Sequence, residues 1–142
     1  MTTKRGMIAD ALKDAFKQIS QDNGFETNLY ENVEKRFIFP DEDPEMPILT
    51  FVMGTESINH QPGNFQDRYI TVTVRAFVEG NDNSQDKTEK IIKDIETVVE
   101  NNSRLLLADG STIRDLKVTL IDTDQGVLAP LGLAEIQLVV EY

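Results

Sequence analysis

The chain has 142 residues, 39% apolar and 27% charged, with 25 acidic against 14 basic side chains and a formal charge of −11. That length suits one domain with one core, and clear apolar periodicities exclude a disordered chain. The acidic balance excludes a general basic surface for a nucleic-acid backbone, and the absence of cysteine excludes disulfides, thiolate metal sites and a cysteine nucleophile.

Taken in order, Met7, Ile8, Ala11, Leu12, Ala15, Phe16 and Ile19 recur at helical spacing, predicting a helix from about Thr3 to Gln21. Thr2 or Thr3 supplies its cap and Asp22-Asn23-Gly24 its stop. The start, Met-Thr-Thr-Lys-Arg, lacks the apolar core of a signal peptide, and no uncharged apolar run approaches the ~18 residues of a membrane span. The expectation is a soluble cytosolic chain. Phe25, Thr27, Leu29, Phe37 and Phe39 alternate in a way that allows one short strand or two before a proline-rich acidic loop, Pro40–Pro47. Ile48–Met53 reads as a compact strand ended by Gly54, and Thr55–Asp67 as a long polar loop.

Arg68–Gly80 is the dominant strand. Ile70, Val72, Val74, Ala76 and Val78 fall on one side of it, and Tyr69, Thr71, Thr73, Arg75 and Phe77 on the other. Ile91, Ile92, Ile95, Val98 and Val99 form a second helical stripe within Ser84–Asn101, with Lys87, Glu89, Lys90, Lys93, Asp94 and Glu96 around the rest. Asp109-Gly110 signals a tight turn. Leu116, Val118 and Leu120 then alternate with Lys117, Thr119 and Ile121, a loop runs through Asp122–Pro130, and a last strand spans about Leu131–Tyr142. The predicted class is α+β: a single domain, 1–142, with a mixed, mostly antiparallel sheet of four to five strands and two amphipathic helices packed on one face. The helix between Arg68–Gly80 and Leu116–Ile121 also permits one parallel crossover.

Catalytic chemistry finds little purchase. His60 is the single histidine, so any Ser–His or His-based acid–base scheme must use it, and it sits in a polar Asn59-His60-Gln61-Pro62 segment. Asp41, Glu42, Asp43 and Glu45 cluster, and Asp122-x-Asp124 precedes Gly126, but neither follows the calcium-loop pattern; solvated loop carboxylates are the plainer reading. No glycine-rich phosphate cradle and no Gly-x-Ser-x-Gly elbow occurs. More informative are two apolar sets in polar surroundings: Ile58 and Phe65 in the first long loop, and Val127, Leu128, Ala129, Leu131 and Leu133 before the last strand. The second set reads either as a buried loop closing the sheet edge or as a contact patch needing a partner chain, and the first carries the same ambiguity.

An N-terminal amphipathic helix (Met7–Ile19), central strands (Ile48–Met53, Arg68–Gly80), a second helix (Ile91–Val99), then a strand, a proline-bearing loop and a last strand ending in an aromatic residue, Tyr142, together resemble the tail terminator (tail-completion) proteins of long-tailed bacteriophages. The resemblance covers nearly the whole chain and is architectural, without an invariant motif. It implies a structural, non-enzymatic protein without cofactor or metal: a homo-oligomer, a hexameric ring, that caps the tail tube, stops its polymerisation and joins the tail to the head neck. The implied partners are further copies of itself, the tail-tube protein and a head-completion (neck) protein. DNA passes through the lumen without specific binding, and no membrane is involved. The implied location is the tail–neck region of the virion, after synthesis in the host bacterial cytoplasm. From loop position and apolarity, Ile58, His60, Phe65, Val127, Leu128 and Leu131 are the candidate assembly contacts. The rival readings are a head-closure or neck component, a small carboxylate-based metal-dependent hydrolase, and a small-ligand-binding domain.

Overall fold

The computed structural model describes residues 3–29, 32–38, 42, 45–80, 83–125 and 131–142. Helix α1 spans Lys4–Phe16, and the Thr3 hydroxyl caps it by accepting from the Gly6 N–H at 3.0 Å. It ends earlier than the apolar spacing predicts. The N–H groups of Gln18 and Ile19 turn back to Ala15 and Phe16, Ser20 adopts extended backbone, and a 3₁₀ turn follows at Gln21–Asn23. Ile19 remains fully buried, so the apolar stripe outruns the helix that it seemed to define. Gly24 closes the turn at φ 88°, a conformation that costs glycine little.

Among the described residues five strands form one sheet in the order β1-β2-β3-β5-β4: β1 Val33–Glu34, β2 Ile48–Gln61, β3 Phe65–Glu79, β4 Asp115–Thr123 and β5 Leu131–Glu141. Among the described residues of the 25–39 stretch only the two-residue β1 is a strand, and it pairs parallel with β2 at Leu49 and Thr50. All other pairs are antiparallel. Helix α2 (Ser84–Asn101) lies where its stripe predicts. It carries the chain from β3 to β4, but β5 inserts between those two strands, so the parallel pair is β1–β2 and not one across α2. The Met46–Pro47 bond is cis, and of the proline-rich acidic segment Asp41 and Asp43 lie outside the described residues.

The core lies between one sheet face and the two helices. Ile70, Val72, Val74, Ala76 and Val78 are all buried, as β alternation predicts, with Ile136, Leu138 and Val140 of β5 beside them. Ile8, Leu12 and Phe16 of α1 and Ile91, Ile95 and Val98 of α2 cover this face, and the rings of Phe16 and Phe51 meet at 5.9 Å between centroids. Each such large side chain contributes about 1.5–3 kcal/mol on burial, which fixes both helices to the same face. At one end of the opposite face Ile38, Ile48 and Phe77 form a small second cluster. Beside them Phe37 lies over Arg75, whose guanidinium carbon is 4.3 Å from the ring centroid.

Two features depart from simple alternation. The register of β4 slips between Val118 and Leu120, so Leu120 pairs with Gln137 and Ile121 with Ile136. A bulge at Thr119 therefore moves Ile121 to the helix-covered face and Leu120 to the open one. On α2, Asp94 is buried, 2% exposed, rather than part of the solvated face. Its carboxylate accepts from the N–H groups of Glu26 and Thr27 at 3.0 and 2.8 Å and from the Thr27 hydroxyl, tying the 26–27 backbone to the helix.

Candidate functional site

The segment expected to be a polar loop, Thr55–Asp67, is instead the outer half of a β-hairpin. Strand β2 does not end at Gly54. Its register with β3 shifts between Met53 and Glu56 and then continues through Ser57↔Tyr69, Ile58↔Arg68, Asn59↔Asp67, His60↔Gln66 and Gln61↔Phe65. Glycine is needed at the bulge because a Cβ on Gly54 would stand 2.8 Å from the Thr71 carbonyl oxygen. Pro62, Gly63 and Asn64 make the turn, with Gly63 at φ 82° and Asn64 at φ 64°.

This half of the hairpin is an arm. Strand β5 reaches only Tyr69 on β3, where Glu141 pairs, and β4 reaches the same level at Asp115. Beyond that level, among the described residues, no third strand pairs with the two, and only Tyr142 and Arg114 still touch the ribbon, at Arg68 and Asp67. Ser57–Gln66 are all exposed, with Ile58 at 40% and Phe65 at 67%. Ile58 shares the side of the sheet that the helices cover lower down, and Phe65 shares the open side, so the arm presents one large apolar group on each face. Ser57–Gln66 carry no Asp, Glu, Lys or Arg, in a chain that is 27% charged.

The root of the arm is held by a cluster around Glu56. Its carboxylate accepts from Arg5 Nη1 (3.2 Å), Arg68 Nη1 (2.7 Å) and the Tyr142 hydroxyl (2.9 Å), and its side chain is 12% exposed. Arg5 Nη2 also donates to the Gly54 carbonyl at 2.7 Å, and the Tyr142 N–H to the Arg68 carbonyl at 3.1 Å. Burial pushes the Glu56 pKa up, but the hydrogen bonds from Tyr142, Arg68 and Arg5 outweigh it and leave the carboxyl below its ordinary value. Burial, followed by donation to Glu56, raises Tyr142. A single carboxylate thus joins the start of α1, the bulged base of the hairpin and the last residue. On the other side Arg114 donates to Asp67 at 2.9 Å. An arm fixed at its base presents its tip in one direction, a form of preorganisation.

Of the expected contact residues, the structure brings Ile58, His60 and Phe65 together on the arm, with His60 facing Gln66 across the ribbon. Leu131 opens β5 opposite Glu79, at the far end of the sheet, and is half-buried. Val127 and Leu128 lie outside the described residues. The four that the structure describes therefore do not form one patch. Sequence reasoning missed Glu56, Arg5, Arg68 and Tyr142 as a unit, because |i−j| between Glu56 and Tyr142 is 86 and only the sheet register joins them. Among the described residues no group of three or more His, Asp or Glu side chains is arranged to hold a metal ion, and no helix is long and apolar enough to cross a membrane.

With this geometry in hand, comparison with known proteins is direct. The family model described as Bacteriophage Tail Tube Terminator Protein matches residues 2–142. The tail tube terminator protein p142 of Escherichia phage T5 is 32% identical over 149 residues, covering 97% of this chain and 92% of that protein. A chain in the solved virion of a native gene transfer agent particle shares the fold at TM-score 0.60 and 12% identity, over 94% of this chain and 96% of that one.

Proposed function

The chain belongs to the bacteriophage tail tube terminator family, and from that premise we propose that it assembles as a hexameric ring on the end of a tail tube, stops its polymerisation and joins the tail to the head neck. The observation that carries this reading is the 32% identity to a tail tube terminator over 97% of the chain. The protein is structural, not an enzyme. In this reading its place is the virion, at the tail–neck junction, and its partners are its own copies, the tube protein and a neck protein. Ile58, His60 and Phe65 supply contacts from the arm, Leu131 supplies one from the other end of the sheet, and Val127 and Leu128 complete the set.

An acidic ring suits a channel for DNA. Six copies of −11 total −66, and an anionic lumen repels the phosphate backbone instead of holding it. The test is mass in solution, by light scattering, with and without tube protein, alongside a tube-polymerisation assay. The expected result is a particle of six times 16.0 kDa, formed alone or on tube ends, and tubes that stop growing when the protein is added. A persistent monomer that neither binds tube protein nor limits tube length overturns the reading.

A further inference from the structure

The sheet ends in two unpaired edges, and together they fit one occupant. On one side β1 pairs with β2 only at Leu49 and Thr50, so among the described residues no strand pairs the outer edge of β2 from Val52 to Gln61, where Arg5 Nη2 alone reaches the Gly54 carbonyl, at 2.7 Å. On the other side β4, among the described residues, pairs only with β5, leaving a nine-residue outer edge from Asp115 to Thr123. Long exposed edges are sites where further strands add, and natural proteins usually shorten or cover them. Here the β4 edge also shows two adjacent aliphatic residues to solvent, Leu120 at 52% and Ile121 at 40%.

We infer that β2, from Val52 into the arm, pairs antiparallel with β4 of a second copy of this chain. The inference rests on the ring reading and supplies its joint. Direction is the first argument. β2, β3, β5 and β4 alternate in direction across the sheet, so β2 and β4 run oppositely. A copy placed beside the first, in the same sense, sets its β4 against β2 in the common antiparallel geometry. Such a contact joins two different patches and repeats head to tail, which closes into a ring when the rotation permits.

Stagger is the second argument. Read through β5 and β3, Asp115 of β4 stands level with Ser57 of β2, and Thr123 level with Leu49. The open part of β2 begins three residues above Leu49, so full overlap needs the neighbour displaced toward the arm by about 10–13 Å, at ~3.3 Å per residue. A sheet closing on itself requires a displacement of this kind between successive strands. Charge is the third. Every copy carries −11, yet Ser57–Gln66 bring no carboxylate or ammonium to the joint, and Glu56 is already held by Arg5, Arg68 and Tyr142. An uncharged edge meets an acidic copy without repulsion.

The chain has no cysteine, so introduced pairs report cleanly. In the fully overlapped register, with the Thr119 bulge kept, Asn59 falls beside Lys117 and Ser57 beside Leu120, both pairs on the open face. Separately purified Asn59→Cys and Lys117→Cys chains, mixed under oxidising conditions, should give covalent dimers, and the double variant a ladder up to the closed ring. Ser57→Cys with Leu120→Cys should behave alike. Ile58→Cys with Leu120→Cys, on opposite faces, should link at least about tenfold less. Light scattering on the same samples separates the outcomes. Oligomers without the face-matched links overturn the edge pairing and leave the ring reading standing. Links from the arm to tube protein alone reassign the arm to that partner. Monomers under all conditions, tube protein included, defeat the ring reading and this joint with it.

Discussion

At the scale of single residues, the carboxylates that matter hold backbone and corners in place. Asp109 shows this at the surface: the hydroxyl and N–H of Ser111 and the Lys4 ammonium hold its pKa down to about 2, against an ordinary 3.8. Glu56 is likewise depressed below its ordinary 4.5. For a depressed carboxyl the unfolded chain binds the proton first, so the stabilisation is complete above the unfolded pKa and is lost as pH falls through the folded one. Denaturation midpoints should therefore fall as pH drops from about 4.5 toward 2, with the Asp109 share lost between 3.8 and about 2. Asp109→Asn should flatten the lower part of that curve in urea titrations at stepped pH. An unchanged slope there would show that Ser111 and Lys4 do not hold the carboxylate in solution.

At the scale of elements, the same physics explains what the sequence disclosed. Helix α2 was readable because Ile91, Ile95 and Val98 form a stripe between good boundaries, and β3 because five aliphatic residues alternate over nine positions. The outer arm was not readable as strand, since a ribbon exposed on both faces has no apolar face to impose a period of two; its turn residues and polar side chains imitate a loop. Asp94 was misplaced for the opposite reason. It lies three residues after Ile91 and four before Val98, inside the stripe, and its charge argued outward while its three donors keep it in. For the candidate site, Ile58, His60 and Phe65 could be grouped from their shared segment, whereas the Glu56 cluster needed the register.

Gly132, between Leu131 and Leu133, is a further case, since nothing in that apolar run announces why glycine is needed. A Cβ there would run into the Thr88 hydroxyl, stand 2.8 Å from Val78 Cγ2 and 3.0 Å from the Ser84 carbonyl oxygen, so the first turns of α2 rest directly on β5. Gly132→Ala should cost about 1–3 kcal/mol through overpacking, read as a lowered urea midpoint with an unchanged slope. A neutral result would mean that α2 can ride outward without loss.

At the scale of the whole molecule, charge sets the terms of assembly. Identical chains at −11 repel one another, and the proposed hexamer concentrates that repulsion in one particle. If the joint consists of backbone pairing along an uncharged arm, salt acts mainly on the repulsion. Exposed charges are screened over about 10 Å at 0.1 M and about 3 Å at 1 M, while backbone hydrogen bonds and buried aliphatic contacts lose little. Association should therefore strengthen as salt rises from about 20 to 500 mM across that range. Sedimentation or light scattering at fixed protein concentration would follow it. An interface built on ion pairs would show the reverse, weakening with salt as each pair is screened. The pairs Lys117–Asp115 and Arg114–Asp67 are both within one chain, so salt loosens pairs at and beside the joint without cutting a bond across it. The sign of the salt dependence thus separates an uncharged strand joint from an electrostatic one before any contact is mapped.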